Sequence, residues 1–212
     1  MAATLENRVV LITGSTTGLG KAMAMAFANQ GARVVMNYHN NRARAEAAYT
    51  SLKETGTDTL LLQADVTDAA SVGRMYDEIA QKLGPVDILI PNATPDQPQR
   101  PIEAYDWALY QSMIDFFLKS PFLLTRACLP HMKQQKWGRI INITSEVFSL
   151  GVTPFTAYVA AKGSQVGFSR SLSNELAPHG ITVNMISPGW IPVERQPTWA
   201  FIFAPSIYTC PP

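Results

Sequence analysis

The sequence predicts a three-layer α/β/α fold, a doubly wound parallel β-sheet with helices on both faces. Three observations predict it. Short strand-like runs alternate with helical segments along the chain. The strand-like runs are continuously apolar and β-branched, as strands covered on both faces must be, and do not alternate in and out. Right-handed crossovers between successive parallel strands then wind such a sheet in two directions, with ligands bound outside the carboxyl ends of its strands.

The elements follow in order. Arg8–Thr13 (RVVLIT) reads as a buried strand that meets glycine. Leu19–Gln30 is an Ala- and Met-rich helix stopped by Gly31. Arg33–Tyr38 is a second strand, Arg42–Thr55 a helix that stops near Gly56, and Thr59–Gln63 a third strand. Thr67 or Asp68 caps a helix that runs to about Leu83, ahead of Gly84-Pro85. Val86–Ile90 is a fourth strand, and one long helical segment lies between about Ile102 and Gln135. Arg139–Thr144 is a fifth strand, Thr156–Ala177 a helix closed by Pro178-His179-Gly180, and Ile181–Ile186 a sixth strand. Met23, Met25 and Met36 read as core filler. Residues 1–192 form a single domain; residues 193–212 form an atypical tail.

Composition excludes several functions. Of the 212 residues, 47% are hydrophobic and 16% charged, so the chain can bury a large core and is not a disordered one. Lys plus Arg is 17 against 16 for Asp plus Glu, a net charge of +1. That lacks the basic surplus that nucleic acid demands of a partner. Cys128 and Cys210 lie too far apart for a disulfide framework or zinc spacing, so no metal site and a reducing, cytoplasmic setting are expected. Met1–Arg8 is not a secretory signal, and no apolar window of about 18 residues predicts a membrane span.

The first strand runs into Thr13-Gly14-Ser15-Thr16-Thr17-Gly18-Leu19-Gly20. Gly14 allows a tight exit, Gly18 lets a pyrophosphate approach a helix N-terminus, and Gly20 permits close helix–strand packing. After the second strand, where an acid would hold the ribose 2′-hydroxyl of NAD, stands Tyr38-His39-Asn40-Asn41-Arg42. Arg42, with His39, is suited to a 2′-phosphate; otherwise Arg42 is a solvated residue in the first turn of a helix. NADP(H) is therefore the preferred cofactor and NAD(H) the other candidate.

Tyr158-Val159-Ala160-Ala161-Lys162 puts a phenol and an ammonium on one helix face at i, i+4. Ser145 lies thirteen residues before Tyr158, just after the fifth strand. With T-G-x-x-x-G-x-G at 13–20, the chain strongly resembles the short-chain dehydrogenase/reductase family over roughly residues 5–192, with the 3-oxoacyl reductase branch nearest. The resemblance implies a Rossmann-like fold and further site residues. Asp65-Val66 matches the pair that contacts adenine, Asn92-Ala93 part of the family's N-N-A-G, and Pro188-Gly189 the P-G beside the nicotinamide. It also places Ser15, Thr17, Leu19, Thr144 and Ile191 against the cofactor. Tyr158 becomes the general acid or base, Ser145 the group that holds the substrate oxygen, and Lys162 the cation that lowers the phenol from its ordinary pKa of about 10 and holds the nicotinamide ribose. The implied activity is hydride transfer between a nicotinamide cofactor and a small-molecule carbonyl or alcohol, in a homodimer or homotetramer without a membrane.

Three departures stand against this pattern. N-N-A-G is Pro91-Asn92-Ala93-Thr94 here, and Pro91 donates no backbone hydrogen bond, which predicts a looser fit around the fourth strand. Phe117 stands where the family places an asparagine, and Pro121 four residues later predicts a kink that exposes the Phe117 carbonyl to a relay water. The tail after Pro192 is proline-rich, lacks strand–helix order, and reads as truncated relative to the family, without its seventh strand; Val193 stands where relatives have a carboxamide-binding threonine. That predicts an exposed edge on the sixth strand and weakened assembly. The alternative to an enzyme is a nucleotide-binding remnant with impaired catalysis. A purely structural protein has no use for the glycine turn or the Ser–Tyr–Lys set. Phe148, Phe155, Trp190 and Trp199 line an apolar pocket or anchor core and loops.

Overall fold

The computed structural model describes residues 5–191. The tail, with Pro192, Val193, Trp199 and Cys210, lies outside the described residues. Six parallel strands form one sheet in the order β3-β2-β1-β4-β5-β6: β1 (Val9–Ile12), β2 (Arg33–Tyr38), β3 (Thr59–Gln63), β4 (Ile88–Ile90), β5 (Gly138–Ile143) and β6 (Ile181–Ile186). The helices between them are α1 (Gly18–Ala28), α2 (Arg42–Lys53), α3 (Ala69–Lys82), α4 (Trp107–Ile114), α5 (Ser120–Gln134), α6 (Val147–Leu150) and α7 (Thr156–Leu176). The strand order reverses between β1 and β4, so the connections that leave these two neighbours cross to opposite faces of the sheet and leave a crevice above their carboxyl ends.

β1 shows why its run is apolar throughout. Val9 and Leu11 face a core shared with Val72, Met75 and Ile79 of α3 and Leu124, Cys128 and Met132 of α5. Val10 and Ile12 face the opposite core, with Ala24 and Ala28 of α1 and Ala48 and Leu52 of α2. Alternation along a strand thus feeds two hydrophobic layers. Met36 belongs to the second core, with Met23 and Met25 packed against it. A third, smaller cluster joins Met113, Phe117, Ala157 and Ala161.

Local signals set the helix starts. Asn41, Asp68 and Asp106 accept hydrogen bonds from the amides of Arg44, Ser71 and Leu109 and cap α2, α3 and α4. Asp68, not Thr67, is the cap of α3.

The structure departs from the sequence reading in three places. The single long helix expected over 102–135 is broken into a 3₁₀ turn (Ile102–Ala104), α4, a π-turn (Asp115–Lys119) and α5. Pro121 supplies no N–H for the Phe117 carbonyl, and its ring crowds that carbonyl, so the ladder widens by one residue where a kink was expected. The short helix α6 had no sequence signal of its own. β6 is covered on one face only: Ile181 and Val183 are buried, whereas Thr182, Asn184, Met185 and Ile186 are exposed. Among the described residues β6 is the last strand at its edge of the sheet.

Asp87 ties the amino-terminal edge together. Its carboxylate accepts from the Val9 amide at 3.0 Å, from Gln135 Nε2 at 2.9 Å and from Arg8 Nη1 at 3.2 Å. Asp87→Ala strands the buried Val9 amide on β1 and removes the acceptor of the half-buried Gln135 and Arg8 donors. The expected loss of stability is about 2–4 kcal/mol, read as a lower urea midpoint at unchanged slope.

Candidate functional site

The glycine turn leaves β1 and is held by the loop after β4. Thr13 Oγ1 accepts from the amides of Asn92 and Ala93 at 2.9 and 3.0 Å. Asn92 Nδ2 returns two bonds, to the carbonyls of Thr13 at 3.0 Å and Gly14 at 3.1 Å. The looser fit expected from Pro91 is therefore not found: the bonds that lock this junction come from Thr13 and Asn92 and need no N–H at position 91. The close approach also explains two glycines. A Cβ on Gly14, at φ +60°, would sit 2.7 Å from Ala93 Cα, and one on Gly20 would sit 2.5 Å from the Gly14 carbonyl oxygen.

A two-lobed cleft runs along the carboxyl ends of the strands, its lobes joined at Ala93, Thr94 and Phe116. The first lobe is bounded by Gly14 and Thr17 of the turn, by Tyr38 and His39 after β2, and by Asp65 and Val66 after β3. The second gathers Leu19, Asn92, Thr144, Ser145, Tyr158, Lys162, Pro188, Gly189 and Ile191. Most residues expected from the sequence thus converge from the carboxyl ends of all six strands and from α7. Ser15 and Gly20 lie behind the wall. Ser15 is fully buried and exchanges hydrogen bonds with the Asn37 backbone. Gly18 is the first residue of α1.

Arg42 is not brought to the cleft. Its Nε is bound to Glu46 Oε1 at 2.7 Å, and its side chain is 77% exposed. The i, i+4 spacing of Arg42 and Glu46 was the available signal. Arg44 lines the first lobe instead, with Asn40 and Asn41.

The cleft fits an extended dinucleotide on two counts. Thr17, the residue before α1, lines the first lobe and makes no side-chain capping bond, unlike Asn41, Asp68 and Asp106 ahead of α2, α3 and α4, so its hydroxyl is not spent on the helix end. The second lobe carries proton-transfer groups at the far end of the same cleft. In the first lobe, burial alone would raise the Asp65 carboxyl, but two hydrogen bonds from Thr67 and the nearby His39 and Lys119 hold it below the ordinary value.

Tyr158 is packed on two sides. Phe155 stacks on it at 4.7 Å between ring centroids, and Phe117 meets it edge to face at 5.2 Å. Burial raises its phenol above the ordinary value, opposed by the hydroxyl of Ser145. The expected downward pull of Lys162 is not what dominates. Lys162 is 3% exposed, and burial brings its amine down to about 7, which weakens its own charge. Its Nζ stands 5.5 Å from the Tyr158 ring centroid and donates elsewhere, to the Ile143 carbonyl and to Gln165. Of the other aromatics, Phe155 is buried, and Phe148 and Trp190 are partly exposed.

Sequence reasoning missed Arg44, Thr13, Phe116, Gln97 and Gln165. Thr13 stood within the glycine motif. Gln165, one turn after Lys162 on α7, carried the i, i+3 signal.

Known proteins resemble this chain in sequence and in fold. The profile of the short chain dehydrogenase family matches residues 8–199. A 3-oxoacyl-[acyl-carrier-protein] reductase of Synechocystis sp. is 36% identical over 192 residues, covering 90% of this chain and 76% of that protein. A probable galactose dehydrogenase of Rhizobium meliloti is 35% identical over 192 residues, covering 91% and 75%. A crystal structure of NAD+-bound xylitol dehydrogenase superposes with a TM-score of 0.83 at 28% identity, covering 88% of this chain and 71% of that one. The chain therefore belongs to the short-chain dehydrogenase family of NAD(P)-dependent oxidoreductases that interconvert carbonyls and alcohols.

Proposed function

We propose that this chain is an NADPH-preferring reductase of a small-molecule carbonyl, with Tyr158 as its general acid. The observation that carries the reading is the convergence of Ser145, Tyr158 and Lys162 on one lobe of a cleft whose other lobe meets the α1 N-terminus. Relatives of similar identity include a 3-oxoacyl-[acyl-carrier-protein] reductase and a probable galactose dehydrogenase, so the substrate is a ketone or 3-oxoacyl thioester on one side and an aldose on the other. We favour the thioester, with the reductase relatives.

A bound nicotinamide supplies the hydride. The protein supplies the proton and the geometry. Ser145 donates a hydrogen bond to the substrate oxygen and holds it beside the Tyr158 hydroxyl. Tyr158 gives its proton to that oxygen as the carbon accepts the hydride. Burial keeps the phenol protonated at neutral pH, which suits the reductive direction. Lys162, beside them in the same lobe, holds the ribose hydroxyls. Arg44, with His39 and Asn41 around the first lobe, takes the 2′-phosphate that marks NADPH.

Phe117 favours a second reading, in which the cofactor binds and turnover is impaired, because its ring touches both Tyr158 and Lys162. NADPH consumption with a panel of ketones, 3-oxoacyl thioesters and aldoses decides between the two; saturable binding with no consumption selects the second. As part of the first reading we take the chain to assemble with copies of itself in a reducing, cytoplasmic setting, supported by exposed Ile102, Trp107 and Phe122 and by a free, buried Cys128.

Tyr158→Phe lowers kcat by a factor of about 10² to 10⁴ and leaves NADPH binding, followed by fluorescence, within about threefold. Arg44→Ala raises the Kd for NADPH roughly tenfold to a hundredfold and leaves that for NADH unchanged, whereas Arg42→Ala alters neither. The oxidative rate, which needs the phenolate, climbs with pH above neutrality toward the raised Tyr158 pKa; the reductive rate, which needs the phenol, does not.

A further inference from the structure

The Lys162 amine ends in a cage built by three elements. Its Nζ donates to the Ile143 carbonyl at the end of β5 at 2.6 Å and to Gln165 Oε1 on α7 at 3.2 Å. The third side is closed by the Phe117 ring on the π-turn, 3.9 Å from Nζ to the centroid. An ammonium has three N–H groups and no acceptor, so the atom of Gln165 that faces it must be the amide oxygen. Gln165 is 1% exposed. It is braced from behind, where Ser169 Oγ donates to its carbonyl at 2.7 Å and accepts from Asn142 Nδ2 at 2.9 Å.

We propose that Gln165 is a positioning residue that, with the Phe117 ring, keeps the Lys162 amine protonated in the wall of the second lobe. The role of Lys162 toward the cofactor rests on the function proposed above; the hold of Gln165 on Lys162 does not. Burial drives a lysine toward its neutral form, and what resists that drive is an acceptor or a π face at each N–H. The Ile143 carbonyl is backbone and fixed. Gln165 Oε1 is the acceptor that a side chain contributes, and Phe117 replaces a polar amide by a dry π face.

Few charges compete for this amine. Tyr158 is the one other titratable group lining its lobe among the described residues. Asp115, on the π-turn, accepts from Gln111 Nε2 and does not line the lobe. Lys119 acts on Asp65. Glu146, after β5, borders Gly189. The ionisation of Lys162 therefore reports chiefly on its cage.

The test is an NMR titration of the cofactor-free protein carrying ¹³Cε-labelled lysine, the Lys162 signal being assigned with Lys162→Met. Gln165→Leu removes the acceptor and is expected to lower the Lys162 midpoint by about one pH unit, whereas Gln165→Glu adds a charge and raises it by at least as much. The Kd for NADPH, measured by fluorescence, should weaken roughly tenfold at pH 8 in Gln165→Leu and stay within about threefold of the parent at pH 6, where the amine is mostly protonated in the parent and about half protonated in the variant. Gln165→Met serves where Gln165→Leu does not fold. Midpoints that stay at the parent value, or move in the same direction in both variants, overturn the proposal. Opposed midpoints in a parent that binds no NADPH would uphold the cage and overturn the functional reading alone.

Discussion

The interlock of Thr13 with Asn92 is the constraint on which the site depends. It lies where the strand order reverses, between β1 and β4, whose following connections leave to opposite faces of the sheet. Four hydrogen bonds cross the gap there, two accepted by the Thr13 hydroxyl and two given by the Asn92 amide. They hold the glycine turn so close to the β4 loop that neither Gly14 nor Gly20 has room for a side chain. With this junction closed, the cleft must run over it, and its two lobes meet at Ala93.

The second lobe is governed by the cost of burying a cation. Lys162 lies almost wholly inside the protein, and among the described residues no carboxylate lines its lobe. Two carbonyl oxygens and an aromatic face offset part of that cost and leave the amine close to its titration point near neutrality. Tyr158 is held in the opposite sense: burial favours the neutral phenol. In the proposed function, a protonated phenol beside a weakly held ammonium is suited to giving a proton to a substrate oxygen.

Phe117 and Pro121 belong together. The proline removes an N–H from the helical ladder, and the ladder answers by widening into a π-turn at Asp115–Lys119. That turn sets the Phe117 ring into the cluster with Met113, Ala157 and Ala161, where it meets Tyr158 and Lys162 at once. A substitution that looked like the loss of a polar group is also the gain of a packing surface against two site residues.

The sequence alone determined the layered α/β fold, the order of the strands along the chain, and the glycine turn with its Ser145, Tyr158 and Lys162 partners. Those features are carried by local patterns: apolar runs, caps such as Asp68, and an i, i+4 pair. Tertiary structure decided what depends on side-chain direction and on neighbours distant in sequence. Arg42 turned along its own helix to Glu46 and left the cleft to Arg44. The sign of the Tyr158 shift followed from burial by Phe155 and Phe117, residues on separate elements. The place of Gln165 was legible only as a helical neighbour of Lys162. That it completes a cage with Ile143 and Phe117 required β5, α7 and the π-turn to meet, because a buried charge is stabilised by whatever the fold brings to it and not by the residues beside it in the chain.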